Sequence, residues 1–160
     1  MTEAQFTNLI QQNKAIVFKV IRMYIRHEDD AQDLFQEILY QAWRSVKNFK
    51  GDSKFSTWLY RVSLNTVLTF KRRAVLVTPH DDLASLQVAS TDGEHQDEKQ
   101  LLYMAIRSLN EVDRMIMMLH LDGYSNEETA EITGLTKNNV AVRLHRAREV
   151  VIEKVKAEGK

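Results

Sequence analysis

From Ala31 to Val46 the apolar side chains Ala31, Leu34, Phe35, Ile38, Leu39, Ala42, Trp43 and Val46 recur at steps of three and four residues. Only a helix with one buried face gathers residues so spaced, because each turn takes about 3.6 residues. His27, Glu28, Asp29 and Asp30 stand just before this run and are expected to supply its N-cap and first-turn acids that suit the helix dipole. Phe6 to Ile25 predicts one or two further amphipathic helices. Phe49-Lys50-Gly51-Asp52-Ser53 breaks the pattern, and Asp52 or Ser53 is placed to cap a helix from about Lys54 to Arg73. One proline and five glycines in 160 residues leave too little turn chemistry for an all-β fold. The expected class is all-α.

The helix expected over 54–73 carries two apolar stripes. Phe55, Trp58, Leu59 and Val62 form one, and Tyr60, Leu64 and Val67, ending at Lys71, form another roughly opposite. A helix apolar on two sides is central in a bundle or faces a partner. Phe55 and Trp58 are expected in the core, with Tyr60 and Arg61 off that stripe and available to nucleic acid. The cluster Lys71-Arg72-Arg73 also suits a helix C-terminus for purely electrostatic reasons.

From Val77 to about Glu98 the periodicity collapses into turn-rich acidic sequence, which reads as a linker. The last sixty residues are sharply punctuated. Leu101 to Leu109 predicts a helix, and Asn110 caps the next, which runs through Leu121 and stops at Gly123. Ser125-Asn126-Glu127-Glu128 is a capping box for a helix ending at Thr133, with Gly134 in the left-handed position. Thr136 then caps a last helix through about Val155. A short helix, a tight glycine turn and a longer basic helix make a helix-turn-helix. The expected organisation is a domain at 1–76, a linker at 77–98 and a second domain at 99–160.

The chain is neutral overall, but the charge is segregated. Residues 1–77 hold twelve basic and seven acidic groups, and residues 78–100 hold one basic and six acidic. Between Asn138 and Arg148 there are three arginines and no acid. Salt screens charge over about 8–10 Å, so these local fields govern attraction to phosphate. In the last helix Val140, Leu144, Ala147, Val151 and Val155 share an inward face. Asn138, Val142, His145 and Glu149 lie opposite, Asn139 and Arg146 flank them on one side, and Ala141 and Arg148 on the other. Asparagine pairs bidentately with adenine, arginine with guanine, and Val142 suits a thymine methyl. That is the composition of a recognition helix, set against the plainer possibility of a solvated basic helix.

Enzymatic readings find no support. There is no metal-binding His-Glu-x-x-His, no Glu-x-x-His pair and no glycine-rich phosphate loop. Asp92 and His95 lie in the expected linker, and Glu127, Glu128 and Glu131 are explained by helix capping and a solvated face. No cysteine is present, which removes disulfides and thiolate ligands and fits a reducing compartment. The first ten residues hold Glu3 and no base before Lys14, so no signal peptide is expected.

The motifs together resemble a known family. Asp30-Ala31-Gln32-Asp33-Leu34-Phe35-Gln36-Glu37, followed by Tyr40-Gln41-Ala42-Trp43, resembles region 2.2 of sigma-70-type factors. Phe49 to Val62 is similar to region 2.3, with Asn65 in region 2.4. Leu109 to Arg114 and Asp122 to Glu128 resemble region 4.1 and the start of 4.2, and Val142 to Arg148 its recognition helix. With two domains and no region 3, the chain looks like the extracytoplasmic-function group.

The resemblance implies two small helical domains, a region 2 bundle and a region 4 helix-turn-helix, joined by an acidic linker. It implies core RNA polymerase as partner, docked through the largest subunit's clamp helices on Asp33, Gln36, Glu37, Gln41 and Arg44. It implies minus-ten recognition and melting by Lys54, Tyr60, Arg61, Asn65, Lys71, Arg72 and Arg73. It implies minus-thirty-five recognition by Lys137, Asn138, Asn139, Val142, Arg143, His145, Arg146 and Arg148. An anti-sigma factor is a further implied partner, the location is cytoplasmic, and no cofactor, metal, bond chemistry or membrane insertion is called for. Ala141 stands where many members carry a basic residue. A stand-alone helix-turn-helix regulator would leave the 31–73 motifs idle, and a structural adaptor bundle would bind no DNA.

The charge map yields a first test. If the acidic 78–100 segment folds back on basic surfaces, the free protein expands as salt rises. Neutralising Asp81, Asp82, Asp92, Glu94, Asp97 and Glu98 then produces the expanded form at low salt, each exposed pair contributing about 0–1 kcal/mol. Small-angle scattering reads the change in radius of gyration, and an unchanged radius makes the segment a passive tether.

Overall fold

A computed structural model describes residues 1–77 and 94–158, which form helices joined by short turns. The chain divides into two compact units, one ending at Leu86 and one beginning at Gln87. Of the linker expected over 77–98, residues 78–93 lie outside the described residues, and Glu94 to Glu98 already belong to a helix.

The first unit contains α1 (Glu3–Tyr24), α2 (Glu28–Ser45) and α3 (Phe55–Val77), with a 3-10 turn at Val46–Asn48. Helix α1 is continuous where one or two helices were expected. Thr2 and Gln5 cap it reciprocally, the Gln5 amide donating to Thr2 Oγ1 at 3.2 Å and the Thr2 amide to Gln5 Oε1 at 2.9 Å. His27 precedes α2 without a side-chain cap, leaving Glu28, Asp29 and Asp30 to satisfy the first turn electrostatically. Helix α3 starts at Phe55, so Lys54 and not Asp52 or Ser53 stands at its entry, its carbonyl accepting from Trp58 N–H at 3.1 Å.

Helix α3 packs on both α1 and α2, and is the common wall of the three-helix core. Val17, Val20 and Ile21 of α1, Leu34, Ile38 and Ala42 of α2, and Leu59, Tyr60, Leu64 and Val67 of α3 fill it. The α2 stripe is narrower than its periodicity suggests. Trp43 is 44% exposed, packed at a tilt on Phe6 with ring centroids 5.0 Å apart. The buried arc of α3 also differs from expectation, because it must face two neighbours at once. Leu59 joins the stripe of Tyr60, Leu64 and Val67, while Phe55 and Trp58 lie partly exposed in a cluster with Phe49.

The second unit contains α4 (Glu94–Arg107), α5 (Glu111–Leu121), α6 (Asn126–Thr133) and α7 (Lys137–Glu158). Here α7 is the common wall, touching α4, α5 and α6. Asn110 Oδ1 accepts from the Asp113 amide at 2.9 Å at the start of α5. Arg114 donates to the carbonyls of Arg107 at 2.7 Å and Leu109 at 3.1 Å, satisfying the open end of α4. Ser125 and Glu128 form the expected capping box on α6. Gly134 ends α6 at φ 81°, and Thr136 Oγ1 accepts from the Asn139 amide at 3.1 Å to start α7. Val140, Leu144, Ala147 and Val151 are buried as expected.

A methyl group at Gly134 would meet no atom within 4 Å, so its requirement is conformational and not steric crowding. Gly134→Ala should lower stability by about 1–2 kcal/mol, the cost of a left-handed backbone for an ordinary residue. Urea unfolding of the full chain checks this, and an unchanged midpoint would show that the turn relaxes freely.

Candidate nucleic-acid interface

Successive residues of a helix advance by about 100°, so the face opposite the core of α3 is fixed once the core is known. Arg61, Asn65 and Arg72 are exposed and lie within about 40° of one another on that face. They span three turns, about 16 Å along the axis. Trp58 sits at the edge of the same face, partly exposed. The stripe combines two cations, an amide and an aromatic ring, which suits a sugar-phosphate backbone with unstacked bases.

The other expected members of this set do not all join it. Tyr60 is completely buried, at 0% exposure, because its position falls on the arc that α3 turns to its neighbours. It is a core residue with no surface left to meet DNA. Lys71 is half-buried, its Nζ 5.3 Å from the Tyr24 ring centroid, and so leans toward α1. Arg73 is exposed off to one side, and Lys54 is exposed before the helix begins.

On α2 the outward face carries Asp33, Gln36, Glu37 and Arg44, all exposed, with Gln41 at its margin. Gln41 Nε2 donates to Glu37 Oε1 at 2.9 Å, and the Arg44 guanidinium lies 5.7 Å from the Tyr40 ring centroid. Tyr40, 55% exposed, occupies the centre of this face and was not among the expected site residues. Its spacing from Asp33, Gln36, Glu37 and Arg44 placed it there, but an aromatic ring invites assignment to the core. A charged face around an exposed tyrosine has the make-up of a protein-binding surface.

In the second unit the exposed face of α7 presents Asn138, Val142, His145 and Glu149, with Arg146 beside them and Lys137 and Arg148 toward the other flank. His145 Nε2 lies 3.3 Å from Glu149 Oε1, so the first acid of the helix marks where its cationic stretch ends. Arg143 differs from the other two arginines. It is partly buried and donates from Nε to Asn139 Oδ1 and from Nη1 to Asp113 Oδ1, both at 3.0 Å. Thus Asn139 and Arg143, both expected at the DNA, are engaged within the domain. Asp113 carries no sequence signal of such a role beyond its place in the first turn of α5. No described helix is long and apolar enough to cross a membrane.

Residues 9–75 match the family described as Sigma-70 region 2, and residues 99–150 that described as Sigma-70, region 4. The chain is 29% identical to the ECF RNA polymerase sigma-E factor of Escherichia coli strain K12, over 94% of this chain and 86% of that protein. It is 27% identical to the protein of the same name from Haemophilus influenzae, over 94% and 87%. The sigma factor RpoE of Bartonella quintana, solved with the anti-sigma factor NepR, superposes with a TM-score of 0.71 at 25% identity, covering 97% of this chain and 98% of that one. CnrH, solved with the cytosolic domain of CnrY, gives 0.72 at 21% identity, over 98% and 90%, a likeness of fold.

The two faces of α3 predict opposite mutational signatures. Tyr60→Ala should cost about 3–5 kcal/mol of stability, as for other buried aromatics. Arg61→Ala should stay within about 0.5 kcal/mol of the parent while weakening binding to single-stranded DNA. Urea unfolding and fluorescence anisotropy separate the two, and equal stability losses would refute the assignment of faces.

Proposed function

We propose that this chain, which belongs to the sigma-70 family and to its extracytoplasmic-function group, divides promoter recognition between its two domains. It is a promoter-specificity factor, and with core RNA polymerase it directs transcription initiation. The observation that carries the division of labour is common to both domains. The helix on which the others pack turns a polar, cation-bearing face outward, Arg61, Asn65 and Arg72 on α3 and Asn138, Val142, His145 and Arg146 on α7.

In this reading the α2 face of Asp33, Gln36, Glu37, Tyr40 and Arg44 docks on the clamp helices of the polymerase's largest subunit. Docking holds both domains at promoter spacing, so the cost of orienting them on DNA is met in advance. Helix α7 enters the major groove of the minus-thirty-five element, where Asn138, Val142 and Arg146 meet base edges. Lys137 and Arg148 meet phosphates. The α3 stripe, with Lys54 and the Phe49, Phe55 and Trp58 rings, takes the unpaired minus-ten strand. Opening is driven by tighter binding of the exposed strand than of the duplex, and no covalent bond is made or broken. The factor works in the cytoplasm beside the polymerase. Like the Bartonella RpoE, solved in complex with the anti-sigma factor NepR, it has an anti-sigma protein as a partner.

In vitro transcription with core polymerase and a randomised promoter library tests the reading. The parent should start at defined sites, whereas free protein binds the same duplexes weakly. Arg146→Ala should weaken use of the upstream element by about 1–3 kcal/mol if it is bidentate to guanine. Glu37→Lys should impair assembly with core polymerase and leave the fold intact. Nanomolar, sequence-specific duplex binding by the free protein would overturn it.

A further inference from the structure

We propose that Arg143 is the positioning residue of the recognition helix, holding α7 in register against α5 through Asp113 instead of reading DNA itself. The inference rests on the assignment of α7 to the minus-thirty-five element. Two nitrogens of the guanidinium are committed, Nε to Asn139 Oδ1 and Nη1 to Asp113 Oδ1, each at 3.0 Å. The second oxygen of Asp113 accepts from Asn110 Nδ2 at 2.9 Å, and Asn110 Oδ1 caps α5 through the Asp113 amide. The chain of contacts thus runs from the N-cap of α5 to the first turn of α7. The Arg143 side chain is 37% exposed and that of Asp113 18%, so salt and water reach the pair and it adds little to stability.

Its value is geometric. Apolar burial is non-directional, so the stripe of Val140, Leu144, Ala147 and Val151 fixes how closely α7 approaches its neighbours more firmly than its roll about its own axis. Two hydrogen bonds from one planar guanidinium fix direction and plane together. Any roll of α7 displaces Asn138, Val142 and Arg146 relative to the base edges. Asp113 therefore governs promoter preference from a position that meets no DNA.

The test uses the full chain assembled with core polymerase, on a promoter selected by the parent holoenzyme. Asp113→Ala and Arg143→Ala should each weaken promoter binding about tenfold, with the double variant no weaker than either. Arg143→Ala should leave the slope of log affinity against log salt unchanged, since no phosphate contact is lost. Asp113→Ala should broaden the preference at the upstream element while circular dichroism shows a folded chain at the assay temperature. Asp113→Asn, which keeps an oxygen for Nη1, should restore part of the affinity, and carries the same comparison should Asp113→Ala not fold. The proposal is overturned if Arg143→Ala lowers the salt slope by about one phosphate contact while Asp113→Ala binds like the parent. It is equally overturned if all the variants bind like the parent. If the parent and Arg146→Ala alike show no dependence on the upstream element, the assignment of α7 fails first and the proposal falls with it.

Discussion

A helix that is packed on one side and exposed on the other has no freedom to place its two faces separately. In α3 the burial of Leu59, Tyr60, Leu64 and Val67 decides where Arg61, Asn65 and Arg72 point. In α7 Val140, Leu144, Ala147 and Val151 set which arc carries Asn138, Val142 and Arg146, while the Asp113–Arg143 pair fixes its roll. Each large apolar side chain buried contributes about 1.5–3 kcal/mol, far more than any exposed polar contact. The outward chemistry therefore inherits its geometry from the core, and the neighbouring helices serve chiefly to define which arc is inward.

Directional bonds supply what apolar packing leaves undetermined. Capping groups at Thr2, Asn110, Ser125 and Thr136 decide where α1, α5, α6 and α7 begin. Arg114 closes the carbonyl end of α4, and Lys154 Nζ reaches Ser108 Oγ at 2.6 Å to tie the far end of α7 to the same corner. These contacts sit at helix ends, where backbone groups lack partners within their own helix. The domain is thus apolar along its helices and hydrogen-bonded at their corners.

What was legible in the amino-acid sequence follows the same distinction. Capping boxes and left-handed glycines act over three or four residues, so Ser125, Gly134 and Thr136 announce themselves. The inward face of α7 was legible because a single unbroken apolar stripe leaves one solution. Helix α3 was not so simple, since apolar residues lie all round it and its buried arc depends on being flanked by both α1 and α2. That is why the stripes point to a core place for Phe55 and Trp58 and a nucleic-acid contact for Tyr60, whereas the fold buries Tyr60 and leaves both rings partly exposed. The Asp113–Arg143 pair joins residues thirty apart in the chain, and nothing local to either signals the other. Lys54 at the entry of α3 likewise carries no capping side chain by which to recognise it.

The separation of faces on α7 bears on how such a chain changes over generations. Asn138, Val142, His145 and Arg146 touch solvent, and replacing them alters what the helix meets without disturbing the stripe that folds it. Surface replacements of that kind shift stability by about 0.5 kcal/mol at most, well inside the margin by which a small domain stays folded. The Ser125 cap and the Gly134 turn meanwhile keep the frame constant. If α7 reads DNA as proposed, new target preferences are accessible by single steps through sequences that all fold, so one scaffold can diversify into many addresses without first having to be rebuilt.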